Sequence, residues 1–214
     1  KVPLIAEIMP TKWSYEALMV NQYKNNDFEQ YFYDLKKQES QANFKQVYYL
    51  PEIKKSLEYV ENHLKENNNP KPDEKLAKEL SLLQNELGEE AERTDISFEK
   101  LSRLQTDSIN QQVVADIKDF IGQLDKHYQN EFEQANKKLD NIRGYLTENK
   151  PKVYRRKKNN HFNESVADQV KKAFEKNKII QYKNELIQHI DPIYHDPEVE
   201  GYLNFRAHFF APRK

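Results

Sequence analysis

Eleven apolar residues recur at steps of three or four: Ile109, Val113, Ile117, Phe120, Leu124, Tyr128, Phe132, Ala135, Leu139, Ile142 and Leu146. Their mean step of about 3.7 residues lies near the α-helical period and predicts one helix over about 108–148. At 1.5 Å rise per residue that helix is ~60 Å long. The step exceeds 3.5, so the stripe drifts around a nearly straight rod and does not trace a left-handed coiled-coil seam. A rod with one long apolar stripe is not stable alone in water and must lay that stripe against other elements. The expected fold is therefore mostly α, an elongated antiparallel helical bundle.

The nearest partners lie just upstream. "LPEIKKSLEYVENHLKEN" predicts a helix over 50–66 with Ile53, Leu57, Val60 and Leu64 on one face and Pro51 in the first turn, where a missing N–H costs little. "NNNPKP" stops it. A helix over 73–91 follows, with Leu76, Leu80, Leu83 and Leu87 on one stripe and Gly88 close to its end. The polar turn between them makes the pair a helical hairpin.

Outside this region the signals are shorter. A helix is expected over 12–24, capped by Thr11, with Trp13, Ala17, Leu18, Val20 and Tyr23 near helical spacing. The aromatic-rich stretch 25–43 has no long period and reads as a loop and a short element. Ser97 caps a short helical stretch bearing Phe98, Leu101 and Leu104. "ENKPKVYRRKKNN" reads as a basic linker. Helices are expected over 164–175, with Val166, Val170, Ala173 and Phe174 inward, and over 179–190, with Ile180, Leu186, Ile187 and Ile190 inward. The expected organisation is a helical hairpin insertion, 50–159, set into a base formed by 1–49 and 160–214. No fixed-period repeat is present.

Composition limits the function classes. The 214 residues include 34 basic and 35 acidic side chains, so no bulk charge draws the chain to nucleic acid or an anionic membrane. Cysteine is absent, which excludes disulfides and thiol chemistry and is compatible with periplasm or cytosol alike. No apolar run reaches the roughly 18–20 residues that span a bilayer, so the chain as given is expected to be soluble. The first residue is Lys1 rather than Met, and the chain ends on Arg213-Lys214, which fits a fragment of something longer.

There is no Gly-rich phosphate loop, nucleophile elbow or zinc-protease His-Glu pair, so no catalytic residues and no cofactor are expected. Carboxylates fall on charged helix faces, where solvated surface is the default. "HIDPIYHDP" holds the best metal set, His189, Asp191, His195 and Asp196, because two imidazoles and two carboxylates could share one neighbourhood. Its two Asp-Pro steps suit turns better, with Asp accepting backbone N–H bonds and Pro fixing φ. Arg155, Arg156, Lys157 and Lys158 concentrate positive potential and form a candidate anion patch; without a stacking platform, a solvated charge run is the simpler reading. Trp13, Tyr15, Phe209 and Phe210 could form an interfacial aromatic belt or join a core.

The two ends carry a family resemblance. "EIMPTKWSYEALMVNQYKNN", through Pro10, Trp13, Tyr15, Glu16, Ala17 and Leu18, resembles the segment after the fifth membrane span in type-two ABC exporter permeases related to the G subfamily. "LIQHIDPIYHDP" with "FRAHFFAPRK" resembles the stretch before the sixth span in long Bacteroidetes-type members, which fuse nucleotide-binding and membrane domains in one chain. Asp191, Pro192, Tyr194, Pro197, Arg206, Ala207, His208, Phe209, Ala211, Pro212 and Lys214 carry this second match. The resemblance covers roughly the first 50 and last 50 residues; the insertion has no counterpart in the shorter external loop of eukaryotic members.

What the resemblance implies is an extracytoplasmic domain on the periplasmic side of the bacterial inner membrane, non-catalytic, capping the exit path and contacting substrate or a partner. ATP hydrolysis would belong to a cytoplasmic domain of the parent transporter. Implied partners are the rest of the transporter chain, the membrane, a second transporter copy and a periplasmic protein, with no nucleic acid. Trp13, Tyr15, Glu16, Arg206, His208, Phe209 and Phe210 would be membrane-proximal. The alternative is a free-standing helical interaction module whose rod docks a partner.

Overall fold

The computed structural model describes residues 9–66, 74–172 and 174–195; at 12, 13, 16 and 66 it describes the backbone alone. Among these the protein is mostly helical, as expected, with one two-stranded sheet. The helices are α1 (Pro10–Lys24), α2 (Tyr33–Phe44), α3 (Leu50–Glu66), α4 (Glu74–Thr94), α5 (Gln111–Asn149), α6 (Pro151–His161) and α7 (Glu164–Lys171). The strands are β1 (Ile179–Tyr182) and β2 (Glu185–Gln188). No described helix is long and apolar enough to cross a membrane.

The chain forms two compact units. One comprises Lys1–Gln41, Glu131–Lys178 and Gln188–Lys214; the other comprises Ala42–Asn130 and Ile179–Ile187. These boundaries differ from the expected 49/50 and 159/160. Pattern alone assigns a whole helix to one unit, whereas α5 contributes residues to both.

In the second unit, α3 packs on α4. Ile53, Leu57 and Val60 face Leu76, Leu80, Leu83 and Leu87 in the buried set. The first half of the α5 stripe supplies the rest: Val113, Ile117, Phe120 and Leu124 are all at most 2% exposed. Asn110 starts α5 by accepting the Val113 N–H at 3.0 Å. Ion pairs fix the flanks, Lys118 with Glu61 at 2.8 Å and Lys54 with Asp125 at 3.7 Å.

Several sequence expectations are corrected here. α4 runs to Thr94, past the expected end at 91, with Gly88 inside it. The helical stretch expected after Ser97 is one 3-10 turn, Leu101–Arg103, which follows Lys100 with no side-chain cap; Phe98 stacks on Phe120, centroids 4.8 Å apart. The expected loop and short element over 25–43 are the turn Glu29–Tyr31 and the 12-residue α2, which continues through a π-helical segment, Lys45–Tyr49, into α3. Pro51 accounts for that widening: it has no N–H for an i−4 carbonyl and its ring crowds the preceding turn, and a π-turn relaxes both.

The expected helix over 179–190 is a hairpin. Its turn, Lys183–Asn184, has Lys183 in the left-handed region at φ 55°. α4 holds the hairpin in place: Leu186 N–H donates to Glu86 Oε1 at 2.6 Å, and Asn184 Nδ2 donates to Ser81 Oγ at 2.6 Å.

In the first unit, α1 packs on α7. Met19, Val20 and Tyr23 form a core with Tyr33, Ala167, Val170, Ile193 and Tyr194. α1 begins at Pro10, whose fixed φ suits the first helical position, so Thr11 lies inside the helix and is not its cap. Leu18, expected inward, is 66% exposed. α7 is capped by Asn163 and ends at Lys172 with φ 50°, which leaves Phe174, also expected inward, 86% exposed. The basic linker is helical as α6, with Pro151 in its first turn.

Candidate functional site

A groove opens in the first unit. It starts with Asn26, whose Oδ1 accepts the N–H groups of Phe28 and Glu29 at 2.8 Å each. This Asx turn ends α1 and winds the aromatic run into a 3-10 turn. As a result Phe28 and Phe32 point inward, 7% and 2% exposed, while Tyr31 stays 56% exposed. Phe28 and Phe32 pack against Leu139, with Ile142, Leu146 and Tyr154 around them.

Beyond Leu139 the α5 stripe is only partly covered. Ile142 and Leu146 are half-buried and, with Tyr145 and Asn141, form one wall. α6 forms another through Val153, Tyr154 and Lys157, with Lys150 at the junction. The Tyr154 ring lies 5.5 Å from that of Phe28, and this aromatic contact anchors α6. The groove holds about 430 Å³, within the range of small-molecule sites.

Its charge is one-sided. Lys157 Nζ lies 3.4 Å from both the Tyr31 hydroxyl and the Asp27 carbonyl, and 5.0 Å above the Tyr31 ring. Of the expected anion patch, Lys157 lines the groove, while Arg155, Arg156 and Lys158 are exposed on α6. Asp27, the one carboxylate in the lining, sits 3.9 Å from His161. The sequence marked Ile142 and Leu146 as part of a stripe, Lys157 as part of a charge run and Phe28, Tyr31 and Phe32 as part of an aromatic stretch, without joining them; Tyr145 and Val153 belong to no stripe and could not be selected.

The described members of the candidate metal set have other partners. His189 Nδ1 lies 3.1 Å from the Asn177 carbonyl and 3.7 Å from Glu175, with Lys172 Nζ 3.4 Å from Nε2. Asp191, left-handed at φ 52°, accepts the Ser40 hydroxyl at 2.6 Å. His195 Nε2 lies 3.2 Å from the Ile190 carbonyl. Among the described residues no three His, Cys, Asp or Glu side chains gather as a metal site; Asp196 lies outside them. Of the membrane-proximal set, Tyr15 is 46% exposed, while Arg206, His208, Phe209, Phe210 and the side chains of Trp13 and Glu16 lie outside the described residues.

The second unit contains a buried polar network on α4 that contradicts the solvated-carboxylate expectation. Glu86 and Glu90 are 4% and 1% exposed. Glu90 pairs with Lys45 at 2.5 Å and Arg93 at 3.5 Å and accepts the Tyr128 hydroxyl. Lys45 also lies 3.6 Å above the Tyr49 ring. Burial pulls the Lys45 ammonium below its ordinary pKa despite Glu90.

Burial pushes the Glu86 carboxyl above its usual range, partly offset by the Leu186 N–H. A carboxyl with a raised folded pKa stabilises the fold while protonated, and that contribution fades as pH rises through the folded value. Glu86→Gln stays uncharged at every pH and can still accept the Leu186 N–H. It should match the parent below about pH 4.5, the ordinary glutamate value, and melt higher than the parent at pH 7. Thermal unfolding between pH 4 and 8 checks this; a difference that does not vary with pH would count against a strained charge at Glu86.

Together these features define a mostly helical protein with a half-open aromatic groove rimmed by cations. Comparison with family models, curated proteins and solved structures returned no match. The functional reading therefore rests on this chain's own residues.

Proposed function

We propose that this chain is the extracytoplasmic domain of an ABC exporter permease of the type-two, G-subfamily kind, on the periplasmic side of the bacterial inner membrane. It is non-catalytic, caps the exit path and contacts substrate or a partner protein, while ATP is hydrolysed by a cytoplasmic domain of the parent transporter. A loop that leaves a bilayer and re-enters it must bring both of its ends to one face.

One observation supports this reading. α1 and the last described turn, Pro192–Tyr194, share a core: the Tyr23 and Tyr194 hydroxyls hydrogen-bond at 2.7 Å, and Tyr33 donates to the Ile193 carbonyl at 2.7 Å. Gln41 adds a bond to the Tyr194 carbonyl at 2.9 Å. Burial holds the Tyr23 and Tyr194 phenols far above their ordinary pKa, so this clasp stays neutral at any physiological pH.

The test is a pair of cysteines, Ala17→Cys with Ala207→Cys, joined by a short crosslinker and measured by spin-label distance. Efficient crosslinking is expected. A separation beyond about 30 Å, the thickness of a bilayer core, overturns the transporter reading and leaves a free-standing interaction module.

A further inference from the structure

We propose that the groove bounded by the Asp27–Phe32 segment, the end of α5 and α6 is a binding site for a medium-chain alkyl carboxylate. Single exposed apolar residues are ordinary on protein surfaces, but several around one concavity are the usual setting of a small-ligand site. Tyr31, Tyr145 and Val153 are each at least 40% exposed, and all three line this groove. The half-buried Ile142 and Leu146 continue its wall. An alkyl tail laid there removes both its own apolar surface and theirs from water.

The charge places the head group. Lys150 and Lys157 are the cations in the lining, and α6 carries four more, Lys152, Arg155, Arg156 and Lys158, with no carboxylate between Pro151 and His161. The N-terminal turn of α6, where Lys150 and Val153 lie, adds the positive end of a helix dipole. Asp27 opposes this field but is near His161, and its own carbonyl faces Lys157. A carboxylate at Lys150 and Lys157 with its tail along Tyr145 and Leu146 satisfies both surfaces.

Size favours a small amphiphile over an acidic helix. About 430 Å³ is the volume of a small-ligand pocket, whereas a helix with its side chains is roughly 10–12 Å across and needs a longer trough. This binding does not depend on attachment to a transporter.

Calorimetric titration of the chain with sodium dodecanoate, below its micelle concentration, tests the site, with amide chemical shifts locating the ligand. One-to-one binding in the micromolar range is expected, with dodecanol and dodecyltrimethylammonium at least about tenfold weaker. Val153→Asp should weaken dodecanoate binding at least about tenfold by placing a like charge in the apolar wall, and Lys150→Glu with Lys157→Glu should do the same. These positions are exposed or half-buried, and unchanged circular dichroism would show that the variants fold. Equal binding of the three amphiphiles, parent-like binding by Val153→Asp, or binding of an acidic amphipathic peptide but not of dodecanoate overturns the proposal.

Discussion

Leu124→Asp should cost about 5 kcal/mol or more, enough to unfold the unit that contains it. Leu124 is fully buried in α5, with Phe120, Ile121 and Tyr128 on the same helix also buried. Loss of the leucine alone costs about 2–5 kcal/mol through transfer and cavity terms. The new carboxylate adds several kcal/mol, because it must sit desolvated or take up a proton. The same substitution at Leu146 is the control. It lies on the same stripe but is half-buried at the groove, so Leu146→Asp should cost only about 1–2 kcal/mol. Thermal unfolding followed by circular dichroism compares them. An unchanged midpoint for Leu124→Asp would mean the stripe is not packed there, and equal losses would mean it is packed equally along its length.

Glu90→Ala is expected to be the next most damaging change, at about 3–5 kcal/mol. Glu90 is 1% exposed and accepts from Lys45 and Tyr128 while pairing with Arg93. Its removal strands the Lys45 ammonium, already held below its ordinary pKa by burial, and leaves the Tyr128 hydroxyl without that acceptor. Desolvation means the pair's own net contribution is far smaller than the cost of breaking it. Replacing both partners together, Lys45→Met with Glu90→Leu, should therefore recover most of the loss. Urea unfolding of the two single variants and the double one gives the coupling energy directly. A Glu90→Ala loss below about 1 kcal/mol would place this carboxylate in contact with water, and a double variant as unstable as Glu90→Ala would show that side-chain shape matters more than charge.

These two residues also mark the limit of sequence reading here. Leu124 was legible as core because a stripe at helical period needs no knowledge of its partner. Glu90 was not, since a buried carboxylate and a solvated one look alike on a helix face, and Lys45 and Tyr128 lie 45 and 38 positions away. The groove was legible only in part. Phe28 and Phe32 stood in an aromatic run and Lys157 in a charge run, but nothing local joins residue 28 to residue 154.

The sequence by itself determined that the chain is mostly helical, that one long helix covers about 108–148, and that the stripes of 50–66 and 73–91 face inward. Those facts follow from side-chain spacing, which acts within one element. Tertiary structure alone decided three other things. The run "IIQYKNELIQ" is short enough to suit either period, and it became a hairpin because Glu86 and Ser81 of α4 supply hydrogen-bond partners. The basic stretch 151–161 became α6 with Tyr154 anchored on Phe28, although its like charges argue for a solvated linker. And the single stripe of α5 closes into a core around Leu124 but opens into a groove at Leu146, because burial depends on which distant segments arrive at each turn of the helix, and the period of the stripe carries no record of them.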